Sequence, residues 1–159
     1  MAAPNALYLP LFPLGFAAFW AFVCWLISRN GWQRLGQYYR APATPPAPAE
    51  TFWLQAASLR EPGTVGPGAN YRGVLRISCG PAGLGLSVLF LFRVGHPPLL
   101  IPWAAVGPVE EKRGVFGLGT YFTSIISAPD GTAAVEIRLG SPAVAAQIEA
   151  YQQLLRLGR

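Results

Sequence analysis

The residues in this chain that could do chemistry are few and far apart. It holds one histidine, His96, one aspartate, Asp130, and two cysteines, Cys24 and Cys79. A nucleophilic site needs a base and a group to orient it. Asp130 is better used in the tight turn Pro129-Asp130-Gly131-Thr132. A zinc centre needs three or four ligands, and positions 24, 79 and 96 share no ligand spacing. Glu110 and Glu111 are adjacent, so on a strand they point to opposite faces and do not pair. Gly83-Leu84-Gly85 and Gly117-Leu118-Gly119 lead into strand-like sequence, whereas a phosphate-binding loop opens a helix. His96, within Gly95-His96-Pro97-Pro98, reads as a solvated or hydrogen-bonding side chain at a hairpin tip. Neither catalysis nor a cofactor nor a metal is expected.

What must position any site is more legible. No charged residue or histidine occurs between Met1 and Ser28, and the run from Leu7 to Ile27 is apolar. As a helix its 21 residues reach about 31 Å, against a hydrocarbon core of about 30 Å. It has no basic start and no small-residue cleavage site, so it reads as an uncleaved anchor over residues 1–28. Tyr8, Trp25 and Trp32 suit interfacial belts. Arg29, Arg34 and Arg40 follow the run, and by the positive-inside rule the amino terminus lies outside and the rest faces the cytoplasm at the inner membrane.

The net charge of +5 is largely those three arginines. From Glu50 onward nine basic residues face seven acidic ones, leaving about +2 and no basic stripe of the kind nucleic acid needs. Cys24 and Cys79 read as small buried hydrophobes.

Residues 29–49 form a basic juxtamembrane segment and a linker. In Gly31 to Arg40, positions 32, 35 and 39 share one helical face. The segment either lies among the headgroups or extends the membrane helix. Ala41 to Ala49 carries four prolines in nine residues and reads as a polyproline spacer of about 28 Å.

From residue 50 to 159 the period changes. Strands are expected over Phe52–Leu59, Tyr71–Cys79, Leu84–Phe92, Leu99–Ile101 at an edge, Val106–Arg113, Gly119–Ser127 and Ala133–Leu139. A helix over Ser141–Leu157 follows, capped by Ser141, with Val144, Ile148, Tyr151 and Leu155 as its apolar stripe. The expected fold is a single transmembrane helix plus a mainly-β, α+β domain. In it about seven antiparallel strands form a bent barrel or sandwich closed by one C-terminal helix, and residues 50–159 fold alone.

Seven strands and one closing helix resemble the pleckstrin-homology-like superfold. The run GLGLSVLFLFRVGHPPLLIPWAAVGPVE (Gly83 to Glu110) is similar to the central strands of bacterial membrane-anchored proteins carrying such domains, as is the G-W-x-x-L pattern after the anchor. Lipid-binding members place a basic cluster on the first hairpin. Here the matching region offers Arg60, Arg72 and Arg76 and no lysine.

The expected role is a non-catalytic, membrane-tethered binding or scaffold module. Leu89, Leu91, His96 and Trp103 are its candidate partner contacts. The alternative is a sensor of anionic lipid headgroups, using Arg29, Trp32, Arg34, Arg40, Arg60, Arg72 and Arg76. Its partners are the membrane, an unidentified protein and, left open, a second copy of the chain.

Overall fold

In the computed structural model, described over residues 8–43, 49–64, 68–114 and 119–157, an apolar helix precedes a β domain closed by a second long helix. Helix α1 spans Tyr8–Ser28, with Pro13 inside it. Its Leu11–Ser28 stretch is long and apolar enough to cross a membrane. Leu11, Phe12, Leu14, Phe16, Phe19 and Phe22 are all exposed. Only one stripe near its end meets the domain: Cys24 and Ser28 are buried and Trp20 is half-buried. Their spacing of four residues places them on one helical face.

Seven strands form one antiparallel sheet among the described residues: β1 (Glu50–Arg60), β2 (Ala69–Gly80), β3 (Gly83–Val88), β4 (Leu99–Ile101), β5 (Glu110–Arg113), β6 (Thr120–Ser127) and β7 (Ala133–Leu139). Their order is β4-β3-β2-β1-β7-β6-β5. β1 links the two halves of the sheet, pairing with β2 along its length and with β7 only over Ala57–Arg60. Two register shifts and Leu54 at φ 53° mark a bend in it, as bulges do. Helix α3 (Pro142–Leu157) contacts β2, β6 and β7, with Val144 and Ile148 fully buried.

Two expected strands are shorter than their apolar runs. β3 stops at Val88, because Phe90–Phe92 close a 3-10 turn with Phe92 N–H donating to the Leu89 carbonyl at 2.9 Å. β5 begins only at Glu110. Pro108 lacks the N–H that a ladder requires, and Val106 keeps an isolated bridge to Ile126.

The segment after α1 is the main correction. A short helix α2 (Trp32–Tyr38) turns back onto the domain, so it does not continue α1, and its apolar face is covered by protein. Gly31 makes the turn at φ 101°, where an added Cβ would lie 3.1 Å from the Leu59 side chain. The face bearing Trp32, Leu35 and Tyr39 is buried in the core with Tyr71, Leu99 and Ile137. The chain then pairs with the edge of β4. Leu100 N–H donates to the Tyr39 carbonyl and Ala41 N–H to the Pro98 carbonyl, both at 2.8 Å. Residues 29–43 are therefore part of the domain, and the domain's fold cannot be assigned to residues 50–159 alone. The described ends of the proline-rich tract, residues 41–43 and 49, both adjoin that domain. The tract's centre, residues 44–48, lies outside the described residues.

Candidate functional site

The chemistry-bearing side chains are each engaged where they stand. His96 is buried, not solvated. Its Nδ1 lies 2.9 Å from the Val94 carbonyl and its Nε2 3.0 Å from the Tyr71 hydroxyl. The carbonyl can only accept, so Nδ1 carries the proton and Nε2 accepts from Tyr71. Burial lowers the His96 pKa below 6.5, against a smaller upward pull from the Val94 and Phe92 carbonyls. Burial likewise pushes the Tyr71 hydroxyl up, leaving it a donor. Trp32 packs on both rings at 5.3 and 5.2 Å, and its indole N–H donates to the Pro97 carbonyl at 2.9 Å. The cluster locks the loop before β4 to the junction of α1 and α2.

Asp130 accepts from both the backbone N–H and the hydroxyl of Thr132, which holds its carboxyl below the usual range. Burial pushes the Cys79 thiol up to about 12, with the Glu50 charge adding to it, which suits an inert core residue. Among the described residues no three His, Cys, Asp or Glu side chains converge.

The seven expected membrane-facing residues are dispersed. Arg29, Arg34 and Arg60 come together around a recess of about 420 Å³ beside the end of α1, with Glu61 and Thr64 on its wall. Arg34 pairs with Glu61 at 3.1 Å, and both are exposed. Arg60 is held by Glu136 through two 2.8 Å contacts. Arg29 lies over the Trp25 ring at 5.1 Å. Arg40 sits on the bridge to Leu99 at the sheet edge. Arg72 lines a shallow recess with Tyr121 and Arg138, and Arg76 stacks on Trp53 at 4.6 Å. Trp32 is fully buried and faces no lipid. Its apolar stripe marked the buried face correctly, but the surface that buries it is protein.

The four expected partner contacts also divide. His96 is inaccessible, as above. Trp103 is largely buried: its indole N–H donates to the Gly80 carbonyl at 2.8 Å, and its ring stacks on Tyr151 at 5.1 Å. Its edge lines an apolar groove of about 450 Å³ with Pro81, Ala82, Pro102, Leu155 and Arg156. Leu155, expected within the closing stripe, is 48% exposed on the groove's rim. Leu89 is half-buried and Leu91 exposed, both at the opposite end of β3, beside α1.

Sequence reasoning missed the buried Glu136, which Arg60 and Arg138 hold between them. Its only signal was a charge in the alternating run of β7. It also missed Tyr71 as the partner of His96, since a pairing across 25 residues leaves no local trace. No protein-family model matches the chain, and no curated protein or solved structure matches it.

Proposed function

We propose that this chain is a single-pass membrane protein that acts by binding, not catalysis. α1 anchors it with the amino terminus outside, and the domain presents the Trp103–Leu155 groove to a protein partner in the cytoplasm. The observation that carries this reading is the placement of two surfaces at opposite ends of one strand. β3 runs from Gly83, beside the groove, to Val88, beside the segment that touches α1. Six residues at about 3.3 Å each set the two about 20 Å apart. A groove at the far end of the strand is directed away from the surface that α1 enters.

The strand order, with one C-terminal helix against the sheet, supports a pleckstrin-homology-like fold. The engaged states of His96, Asp130 and Glu136 support a binding role: His96 and Glu136 are buried among their partners, and Asp130 closes a tight turn through Thr132. The groove suits a short apolar peptide: Pro81, Pro102 and Pro108 line it together with Trp103 and the half-exposed Leu155. A photo-crosslinking residue at Leu155 in the full-length protein in its own membrane tests this. A discrete protein adduct there, absent from a probe at exposed Thr120, is expected. Equal labelling at both positions, or none at Leu155, overturns the groove.

A second reading, an anionic-headgroup sensor at the inner leaflet, is favoured by the convergence of Arg29, Arg34 and Arg60 beside the end of α1. Glu61 and Glu136 already occupy two of these arginines, so Arg29 is the least committed. Native mass spectrometry of the full-length protein released from membranes separates the readings. Retained anionic phospholipid that Arg29→Gln and Arg34→Gln remove would favour the sensor.

A further inference from the structure

The segment joining β3 to β4 exposes a run of apolar side chains on the domain surface. Phe90 is 76% and Leu91 58% exposed, and Val94 is exposed beside them. The segment is fixed against α1. Trp20 Nε1–H donates to the Leu91 carbonyl at 2.9 Å, and the Trp20 and Phe92 rings lie 5.3 Å apart. Phe16 stacks on Trp20 at 6.3 Å and continues the aromatic column along the helix. At the base of the segment Gly95 adopts φ 76° with its α-carbon pressed on Ser28 and Trp25, where a Cβ would collide.

These contacts set a depth. Gly95 sits at the end of α1, whereas Leu91 sits beside a residue eight positions earlier, about 12 Å along the axis. If Ser28 marks the membrane boundary, Phe90 and Leu91 lie inside the leaflet, near the depth of about 5–10 Å at which amphipathic elements bury their apolar faces. The carbonyls of the segment are prepared for that medium, which offers no water to satisfy a polar group. Three successive carbonyls accept hydrogen bonds: Leu89 from Phe92 N–H, Phe90 from Arg93 N–H and Leu91 from Trp20. Arg93, an exposed cation, follows between the apolar tip and Gly95.

We propose that Leu89–Val94 is a wedge inserted among the acyl chains of the bilayer that α1 crosses, so that the domain is partly embedded in one leaflet. This rests on reading α1 as a membrane span. Lipid is the occupant because the exposed tip is continuous with the exposed apolar flank of α1, at a depth where the surroundings of a single span are hydrocarbon. Leu89 and Leu91 then serve as membrane contacts and not as contacts to a soluble partner.

The test uses the full chain in phosphatidylcholine vesicles, with an environment-sensitive fluorophore on Phe90→Cys. Cys24 and Cys79 are buried and do not compete for label. Phe16→Cys, within α1, and Leu157→Cys, exposed at the end of α3, are the reference positions. Brominated acyl chains should quench the label at Phe90 and at Phe16, and aqueous iodide only the label at Leu157. Iodide quenching at Phe90 with lipid quenching kept at Phe16 overturns the wedge and leaves the anchor standing. Loss of lipid quenching at Phe16 overturns both. Lipid quenching at Leu157 also overturns the wedge, since the whole domain would then lie on the lipid.

Discussion

The Tyr71 hydroxyl and His96 Nε2 stand 3.0 Å apart inside a ring cluster completed by Trp32. The pair holds together the junction through which the helix and the sheet meet. It works only while the imidazole is neutral, since a protonated Nε2 cannot accept from Tyr71.

Acidification should therefore loosen this protein from just below pH 6.5. The folded pKa of His96 lies below its ordinary 6.5, so in this window the unfolded chain binds the proton and the folded chain does not. Stability then falls as pH drops from 6.5 through the lower folded value, and is unaffected by this group above 6.5. Urea unfolding at pH 7.5 and 5.5 measures it. His96→Gln should lose this component, and equal stability of the wild type at both pH values would refute it. Tyr71→Phe, which leaves Nε2 without a donor, should cost about 1–3 kcal/mol at neutral pH.

A second acid step belongs to Glu136. Burial pushes its carboxyl up, but hydrogen bonds and charge from Arg60 and Arg138 outweigh that and hold it below the usual 4.5. Its stabilisation is present above 4.5 and disappears as pH falls through the depressed value. The Glu136 side chain is 8% exposed and that of Arg60 18%. Removing one partner strands a buried charge, so Glu136→Ala should cost about 3–5 kcal/mol. The pair Arg60→Met with Glu136→Leu should restore much of this, as thermal unfolding would record.

Trp32→Ala should cost about 3–5 kcal/mol through its cavity. A chain starting at Glu50 lacks Trp32, Leu35 and Tyr39 and should lose cooperative unfolding, whereas one starting at Arg29 should keep it. Circular dichroism melts of the two fragments decide the matter, and a sharp melt of the shorter one would refute it.

In α3, Ile148→Ala should cost about 2–5 kcal/mol, since that side chain is fully buried. Leu155→Ser, on the half-exposed rim, should change stability by less than about 0.5 kcal/mol. Truncation before Ser141 should leave an aggregating fragment. Denaturant midpoints of the two variants and light scattering of the fragment are the measurements.

The strands and α3 were legible because alternation and a four-three-four stripe report local backbone period. β4, β6 and β7 stand within a residue of expectation. Periodicity tells which face is buried but not against what. Hence Trp32, Leu35 and Tyr39 declared a buried face, and only the fold supplied β-domain residues as its surroundings. The recess formed by Arg29, Arg34 and Arg60 was named residue by residue, yet only the return of α2 brings 29 and 34 to 60. The Trp20–Leu91 contact spans 71 residues, and its indole and backbone carbonyl carry no sequence pattern at all.

The turn at Gly31 and the pairing of Tyr39–Ala41 with β4 also have a mechanical meaning. A domain on a slack tether samples a hemisphere and can reach for its ligand. This one is bolted to its helix, so the Trp103–Leu155 groove rides at a fixed stand-off, about one β3 length above the α1 contact. On the proposed reading of α1 as a membrane span, whatever docks there must present its segment at that height, and the search would proceed by lateral diffusion in the plane of the bilayer. A pull on the docked partner would pass through the sheet into α1 without first taking up slack.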